Sequence, residues 1–302
     1  MEPKDKILGI TKKPYNYTIA GKTDGFGAQY NAILSGIAFC EHDPNYNYIH
    51  TPFYSVSHGW GWEENEPESS WKKRTDELNE FIGIPYSQEK QQIDKAQRFN
   101  KTVFNDNRPS NWYDDQTLKK IRKYYWSTPK PSKCEQDIVV HIRRGDVQPD
   151  GKGSDRRKRY TANEWYRGRI PWVASMYPES YTIAIHSEGE MDEFESIMDD
   201  WPTSLIDRTT WKLGKYWKHN VEFDLKRAFH DMVTSKVLVQ SKSAFSYVAG
   251  ILSEGDVFYY SGNKQSGQRY PLDNWRVMQH SSSKHEDGIT YKEIINIIEK
   301  ET

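Results

Sequence analysis

The sequence has very little cysteine and no long hydrophobic run. Only two of its 302 residues are cysteines, Cys40 and Cys134, and they do not form a metal-binding spacing. A disulfide framework is therefore excluded as the main source of stability. No window approaches the roughly 18 apolar residues of a membrane span, and the N-terminus, MEPKDKILGITKK, lacks the apolar segment of a signal peptide. We therefore expect a cytoplasmic protein without a membrane partner.

The sequence also lacks an excess of charge of either sign. It has 42 Lys and Arg against 43 Asp and Glu, for a formal net charge of -1. Because general nucleic-acid binders normally carry a basic excess, a nucleic-acid partner is not expected. One basic run, residues 152–160, could bind phosphates locally, although such a run is usually a solvated loop.

Apolar runs and turn residues alternate along the chain in a way that predicts a parallel α/β sheet. In the first part, the pattern predicts strands at 17–20 and 49–53 and a helix after the Gly-rich turn 21–29. Beyond residue 130 it predicts strands at 138–142, 181–186, 205–206, 236–240 and 257–260, the last being the final strand. The helices predicted between them cover 163–176, 191–201, 224–234 and 244–252, and Ser187 with Glu190 forms a capping-box pair for the second.

The segment 127–132, STPKPS, has the composition of a linker. We place a domain boundary there, which gives an N-terminal α/β domain over residues 1–130 and a second over 131–275. Residues 276–302 are predicted to be a helical tail, with an amphipathic helix at 291–297.

A cluster of polar residues follows the apolar strand 138–142. His141 lies within this strand, and Arg143, Arg144, Gly145 and Asp146 come at its carboxyl end, where open α/β sheets bind ligands. Two guanidiniums match the oxygens of a diphosphate, and a glycine allows close backbone approach. The alternative is a surface ion pair between Arg143 and Asp146, with His141 an ordinary core histidine.

Two further turns could join this cluster. Ser241, Lys242 and Ser243 lie between a predicted strand and a helix, so their hydroxyls and the helix amides can form an anion site. Ser243 could equally be an ordinary N-cap. The turn containing Gly25, Gly27 and Gln29 also leads from a strand into a helix, a geometry that cradles phosphates or sugars but is common in plain βα turns.

The motif His-x-Arg-Arg-Gly-Asp at 141–146 resembles the first motif of the fucosyltransferase superfamily, which includes the α1,2-, α1,6- and protein O-fucosyltransferases. Residues 231–250 resemble a second motif of that family, and Gly25 to Gln29 a glycine-rich element. The resemblance implies a GT-B-like fold, with two Rossmann-type domains facing across a cleft. Residues 1–130 would then form the acceptor side and 131–275 the nucleotide-sugar side.

The resemblance also implies roles for individual residues. An arginine, Arg143 or Arg144, would bind the diphosphate of GDP-fucose, and Asp231 would recognise the guanine. Ser243 or Ser246 would bind a phosphate. His141, Ser241, Gly25, Gly27 and Gln29 are further candidates for the donor site.

The expected reaction is inverting transfer of fucose from GDP-β-L-fucose to a hydroxyl of a glycan acceptor. Asp146, or else Asp155, is the candidate base, and the arginines would neutralise the departing GDP. We expect no cofactor and no metal, because no convincing Asp-x-Asp motif occurs. The absence of an anchor indicates an enzyme of the bacterial or viral type. The alternatives are transfer from another nucleotide sugar, or a non-catalytic carbohydrate- or nucleic-acid-binding protein.

Overall fold

The computed structural model describes residues 15–19, 24–56, 68–85, 97–99, 112–145, 147, 159–214, 225–261 and 271–279. In these ranges the protein is mixed α/β and contains two parallel sheets, one of three strands and one of six. The predicted α/β class is therefore confirmed. No helix within the described ranges is long and apolar enough to cross a membrane.

The smaller sheet lies in the first part of the chain and has the strand order β2-β1-β3. Its strands are β1 (Tyr15–Ile19), β2 (Tyr46–Tyr48) and β3 (Gln97–Phe99). The helices of this part are α1 (Phe26–His42), α2 (Glu68–Ile82) and α3 (Asp115–Tyr125). Helix α1 buries Tyr30, Ile33, Leu34 and Ile37, which have the helical spacing expected of a core-facing stripe.

The larger sheet has the order β6-β5-β4-β7-β8-β9, and every neighbouring pair is parallel. Its strands are β4 (Ile138–His141), β5 (Ile183–Glu188), β6 (Thr209–Gly214), β7 (Val237–Val239), β8 (Asp256–Ser261) and β9 (Arg276–Gln279). The helices of this part are α4 (Asn163–Ala174), α5 (Thr203–Asp207), α6 (Leu225–Thr234) and α7 (Ala244–Leu252). Strand β4 lies in the interior between β5 and β7, which explains its continuous run of β-branched residues.

Two hydrophobic clusters cover the faces of the larger sheet. On one face, Val140 and Ile142 pack with α4, including Tyr166 and Ile170. On the other face, Val139 packs in a cluster that includes both α6 and α7 and helices of the first part of the chain. Alternate residues of β4 therefore point to different clusters, as the pleat of a strand requires.

Helices α1 and α7 pack very closely at their N-terminal ends. A Cβ atom placed on Gly27 would lie 2.5 Å from the backbone nitrogen of Phe245. Only a residue without a side chain allows this approach. At the other end of α7, Arg122 of α3 donates hydrogen bonds to the carbonyls of Leu252 and Ser253, at 3.2 and 2.5 Å. Helix α7 is thus held by the first part of the chain at both ends.

The predicted strand at 205–206 was wrong. These residues lie in α5, where Leu205 N donates to Pro202 O at 2.9 Å and closes a helical turn. A two-residue apolar run cannot distinguish a helix from a strand. The actual strand at this edge of the sheet is β6, Thr209–Gly214.

The predicted helix at 191–201 was also wrong, although its apolar residues Phe194, Ile197 and Trp201 do pack in the core. The segment forms two 3₁₀ turns, Met191–Glu193 and Glu195–Ile197. The capping box joins Glu190 and Glu193 and not Ser187 and Glu190. Such reciprocal bonds tighten a first turn, and the left-handed φ of 68° at Asp200 ends the segment before Pro202.

Other differences concern boundaries. Strand β2 ends at Tyr48, so the prediction of a strand at 49–53 lies beyond it. The strand predicted at 257–260 is not the final one, because β9 follows and pairs with β8. Residues 276–279, assigned from the sequence to a helical tail, form this strand, and the predicted helix at 291–297 lies outside the described residues. The domain boundary at residue 130 stays a prediction.

Candidate functional site

The two arginines after β4 lie in different environments. Arg144 is buried, with 4% exposure, whereas Arg143 is partly exposed. Arg143 contributes to the low pKa of His141, which places its charge near that ring. The chain turns at Gly145, whose φ of 74° is in the left-handed region that glycine tolerates without strain.

Arg144 is enclosed on the α4 side of the sheet. Its guanidinium lies 4.4 Å from the ring centroid of Tyr160, and its Nη2 donates to Oδ1 of Asn163 at 2.6 Å. Asn163 in turn donates to Glu193 O at 2.7 Å. A cation held by an aromatic face and an amide in this way stabilises the local packing. This geometry favours a structural role for Arg144, and its predicted contact with a diphosphate stays a prediction.

His141 lies on the other side of β4, beside α7. Its Nδ1 is 2.9 Å from the hydroxyl oxygen of Ser241, and its ring centroid is 5.6 Å from that of Phe245. Burial, together with the charges of Arg143 and His186, lowers the pKa of His141 to about 3. The imidazole is therefore neutral at physiological pH.

Asp231 lies at the centre of a buried ion cluster, which we define as Asp231, His186, Lys212 and Arg227. Its Oδ2 accepts from Lys212 at 2.8 Å and from His186 at 3.1 Å, and its Oδ1 accepts from Arg227 at 2.8 Å. Burial of this fully enclosed carboxylate would by itself raise its pKa. The hydrogen bonds from His186 and Lys212 outweigh that effect and lower the pKa to about 2.

The turn between β7 and α7 is organised by its own serines. Ser243 is the N-cap of α7 and its hydroxyl accepts from Phe245 N at 3.2 Å. Ser246 is fully buried, and its hydroxyl accepts from Ser241 N at 3.3 Å. The first bond caps the Phe245 amide in the first turn of α7, which has no acidic residue, and the second holds the amide of Ser241 before the helix.

The Gly-rich turn lies against this helix start. Gly25 is the N-cap of α1 and its carbonyl accepts from Ala28 N and Gln29 N, at 3.0 and 3.2 Å. No side chain caps α1, and its first turn also has no acidic residue. Through the contact of Gly27 with Phe245, two helix N-termini meet at one place. We call this place, formed by residues 25–27 and 243–245, the helix junction.

Gln29 holds the loop before α2 through hydrogen bonds from its side chain. It is 4% exposed, and its Nε2 donates to Asp24 O at 2.5 Å and to Ser55 O at 2.8 Å. The side chain thus ties the Gly-rich turn to residues 51–56. Its predicted contact with a donor stays a prediction, and its geometry is that of a positioning residue.

The structure leaves the candidate bases undecided, because Asp146 and Asp155 lie outside the described residues.

Ser187, at the carboxyl end of β5, donates to the carbonyls of Ile142 and Glu188 at 2.9 and 3.2 Å. Its hydroxyl therefore joins two strand ends.

Several important residues were not apparent from the sequence. Lys212 and His186 are 19 and 45 positions from Asp231, so only the sheet brings them together. Arg227 could have been found, since it precedes Asp231 by four residues on a helix, the spacing at which side chains meet. Asn163 and Tyr160, which hold Arg144, carry no sequence signal of that role.

The arrangement is suited to binding an anion. Helix N-termini carry partial positive charge, and their first-turn amides have no acceptor within the helix. Here two such N-termini meet at the carboxyl edge of a parallel sheet, with the amide of Phe245 capped by Ser243. Arg143 adds a full positive charge near His141, whose ring lies 5.6 Å from that of Phe245 at the start of α7. The fold and this site together define an α/β protein in which two helix N-termini meet between two parallel-sheet units.

Comparison with known proteins identifies no family for this chain. No family model matches it, and no curated protein matches it in sequence. Solved structures similar to it include a crystal structure of POFUT1 in complex with GDP, at 10% identity and a TM-score of 0.39, covering 80% of this chain and 96% of that one. A structure of POFUT1 in complex with GDP-fucose has 12% identity and a TM-score of 0.36, with 82% and 97% coverage.

Glycosyl transferase family 9 from Veillonella parvula is a third, at 11% identity and a TM-score of 0.38, covering 95% of this chain and 96% of that one. TM-scores at this level do not assign a family.

Proposed function

We propose that this protein is a glycosyltransferase that binds a nucleoside diphosphate sugar at the helix junction. The observation that supports this most is the meeting of the N-termini of α1 and α7, where the ring of His141 lies next to Phe245 and the charge of Arg143 lies near His141. A diphosphate has enough oxygens to accept hydrogen bonds from both helix starts and from a guanidinium. Each such charge-assisted bond contributes about 1.5–3 kcal/mol.

The same groups would assist the reaction. When the bond between the sugar and the diphosphate breaks, negative charge develops on the departing diphosphate. Fixed amides and a guanidinium stabilise that charge without having to reorganise. The neutral His141, oriented by Ser241, can donate or accept one hydrogen bond there without adding charge. We further propose that the sugar is transferred with inversion to a hydroxyl of a glycan.

For the donor we propose GDP-β-L-fucose, on the strength of the motif at 141–146. We do not assign Asp231 a direct bond to the guanine, because three donors of the protein already enclose its carboxylate. In this proposal the ion cluster fixes the position of α6 against β5 and β6 beneath the donor.

We propose that no metal ion is required, because the helix junction and Arg143 supply the positive charge that a cation would otherwise provide. The expected outcome is unchanged transferase activity in excess EDTA. Activity that is lost in EDTA and restored by Mn²⁺ would contradict this proposal.

The test of the donor class is thermal unfolding of the full chain with saturating GDP, UDP or CMP. A ligand at about 100 times its Kd stabilises by about 2.7 kcal/mol, which corresponds to a rise of several degrees in Tm. We expect GDP alone to raise the Tm. A rise with UDP would retain a glycosyltransferase but exclude fucose as the donor sugar, and no rise with any nucleotide would favour a non-catalytic carbohydrate-binding protein.

A further inference from the structure

An exposed tyrosine, Tyr54, contacts the partly exposed Trp71 in a part of the chain that is tied to the helix junction. Tyr54 is 74% exposed, the highest value among the large hydrophobic residues of the described part of the chain. Its ring centroid lies 6.0 Å from that of Trp71 on α2, with a tilt of 58° between the rings. Burying an aromatic ring removes a large apolar area from water and stabilises a fold. The exposed ring of Tyr54 does not contribute this stabilisation.

The backbone on both sides of Tyr54 is held firmly. Before it, Phe53 N donates to Oδ1 of Asn79 at 2.7 Å, and Nδ2 of the same amide donates to Phe53 O at 3.1 Å. After it, Ser55 O accepts from the buried Gln29 at 2.8 Å. The flanking Phe53 and Ser55 are buried, with 6% and 1% exposure. The tyrosine therefore projects from a fixed backbone.

These supports connect the pair to the proposed donor site. Gln29 belongs to the first turn of α1, and the ring centroid of Phe53 lies 5.8 Å from that of Phe26 in the same turn. Gly27, between them, is the residue that contacts α7. The first turn of α1 thus both supports the backbone around Tyr54 and forms one side of the helix junction.

We propose that Tyr54 and Trp71 form a platform for a pyranose ring of the acceptor glycan. One face of a pyranose presents C–H groups, which pack against the face of an aromatic ring, while its hydroxyls remain available to polar groups and water. The sugar bound on the platform is the acceptor, and one of its hydroxyls must reach the anomeric carbon of a donor bound at the helix junction. The inference rests on the proposed function and adds the acceptor side of the same site.

The chain offers a matched control at the opposite end of α1. Tyr15 is 45% exposed, and its ring centroid lies 6.2 Å from that of Tyr46, close to the residue at which α1 ends. Helix α1 has 17 residues and is therefore about 25 Å long. Tyr15→Ala consequently removes an exposed, paired aromatic ring far from the proposed platform.

The experiment measures glycan binding by the full chain saturated with GDP. An array that includes lactose, N-acetyllactosamine and chitobiose identifies the tightest wild-type ligand, which is then titrated against each variant. We expect Tyr54→Ala and Trp71→Ala to bind about tenfold more weakly, and Tyr54→Phe and Tyr15→Ala to stay within about twofold. The Tm of each variant, with and without GDP, is recorded alongside.

The outcomes separate the two proposals. Equal glycan affinity in Tyr54→Ala, Trp71→Ala and Tyr15→Ala overturns the platform, as does a wild-type chain that binds GDP but no glycan. If GDP leaves the Tm unchanged while Tyr54→Ala still loses glycan binding, the platform stands and the donor proposal falls.

Discussion

Two adjacent arginines illustrate how a residue's role depends on the face of the strand it leaves. Arg143 remains partly exposed near His141, and Arg144 is buried against Tyr160. Both guanidiniums are equally good anion ligands in isolation. Only their surroundings differ. Substituting each arginine separately therefore tests which of the two binds the anion.

We predict that Arg143→Ala weakens nucleotide binding by about ten- to a hundredfold, the loss of one or two charge-assisted bonds. The Tm of the free protein should hardly change. Titration of GDP by calorimetry, with the Tm of each variant, measures both effects.

Arg144→Ala should show the reverse pattern. It removes the bond to Asn163 and the contact with Tyr160, so we expect about 1–3 kcal/mol of destabilisation in urea with near-normal GDP affinity in the folded protein. If Arg144→Ala loses nucleotide binding and Arg143→Ala does not, the assignment of the two arginines is reversed.

The buried carboxylate of Asp231 should make stability depend on pH in acid. Its pKa is lowered from 3.8 to about 2, so its stabilising contribution is complete above about pH 4 and is lost as the pH falls towards 2. We predict that Asp231→Asn destabilises by about 3–5 kcal/mol at neutral pH, because it removes the buried negative charge that Lys212 and Arg227 share. The variant should also lose this part of the acid dependence.

Urea unfolding between pH 2 and 7 measures this effect. Asp199→Asn is the control, since Asp199 is an exposed carboxylate 3.8 Å from Arg167, where an ion pair contributes little. A similar acid profile for Asp231→Asn and the wild type would show that the cluster does not hold a charged carboxylate.

At the scale of elements, the contact between α1 and α7 controls the geometry of the proposed donor site. We predict that Gly27→Ala destabilises by about 1–3 kcal/mol and weakens GDP binding, because the new methyl group would collide with the backbone of Phe245. Gly168 in α4 is the control, since a Cβ there meets nothing within 4 Å. Gly168→Ala should stabilise by about 0.5–1 kcal/mol.

Urea denaturation and GDP titration of both glycine variants check this prediction. A Gly27→Ala protein as stable as the wild type would mean that the helices separate at low cost, and the junction would then not be preformed.

Elements with strong local signals were predictable, and those with weak signals were not. The segment 138–142 combines four apolar β-branched residues with a following glycine, and α7 begins at a serine N-cap, so both were recognised. The pair Leu205-Ile206 was too short to indicate its conformation. The segment 191–201 has helical spacing, but its conformation is set by the Glu190–Glu193 bonds and by the bend at Asp200.

At the scale of the whole molecule, one buried cluster joins the two parts of the chain. It contains Phe26, Tyr30 and Phe81 from the first part together with Phe229 and Tyr247 from the second. A linker-like composition at 127–132 indicates where the chain passes between units, but not whether they share a core.

We therefore predict that the protein unfolds in a single cooperative transition. Differential scanning calorimetry should give one peak with a calorimetric enthalpy equal to the van't Hoff enthalpy. Two resolved peaks would contradict this prediction and indicate that the parts on either side of residue 130 unfold independently.

The sequence by itself determined the α/β class and the candidate anion-binding turns, because strand composition, glycine turns and N-caps are local properties. The tertiary structure alone decided which of those residues meet. It separated Arg143 from Arg144 through the alternation of β4 and brought Gly27 against Phe245. It also placed Lys212 and His186, from two distant strands, against Asp231. The physical reason is that burial and charge pairing depend on contacts between residues tens to hundreds of positions apart, which no local pattern records.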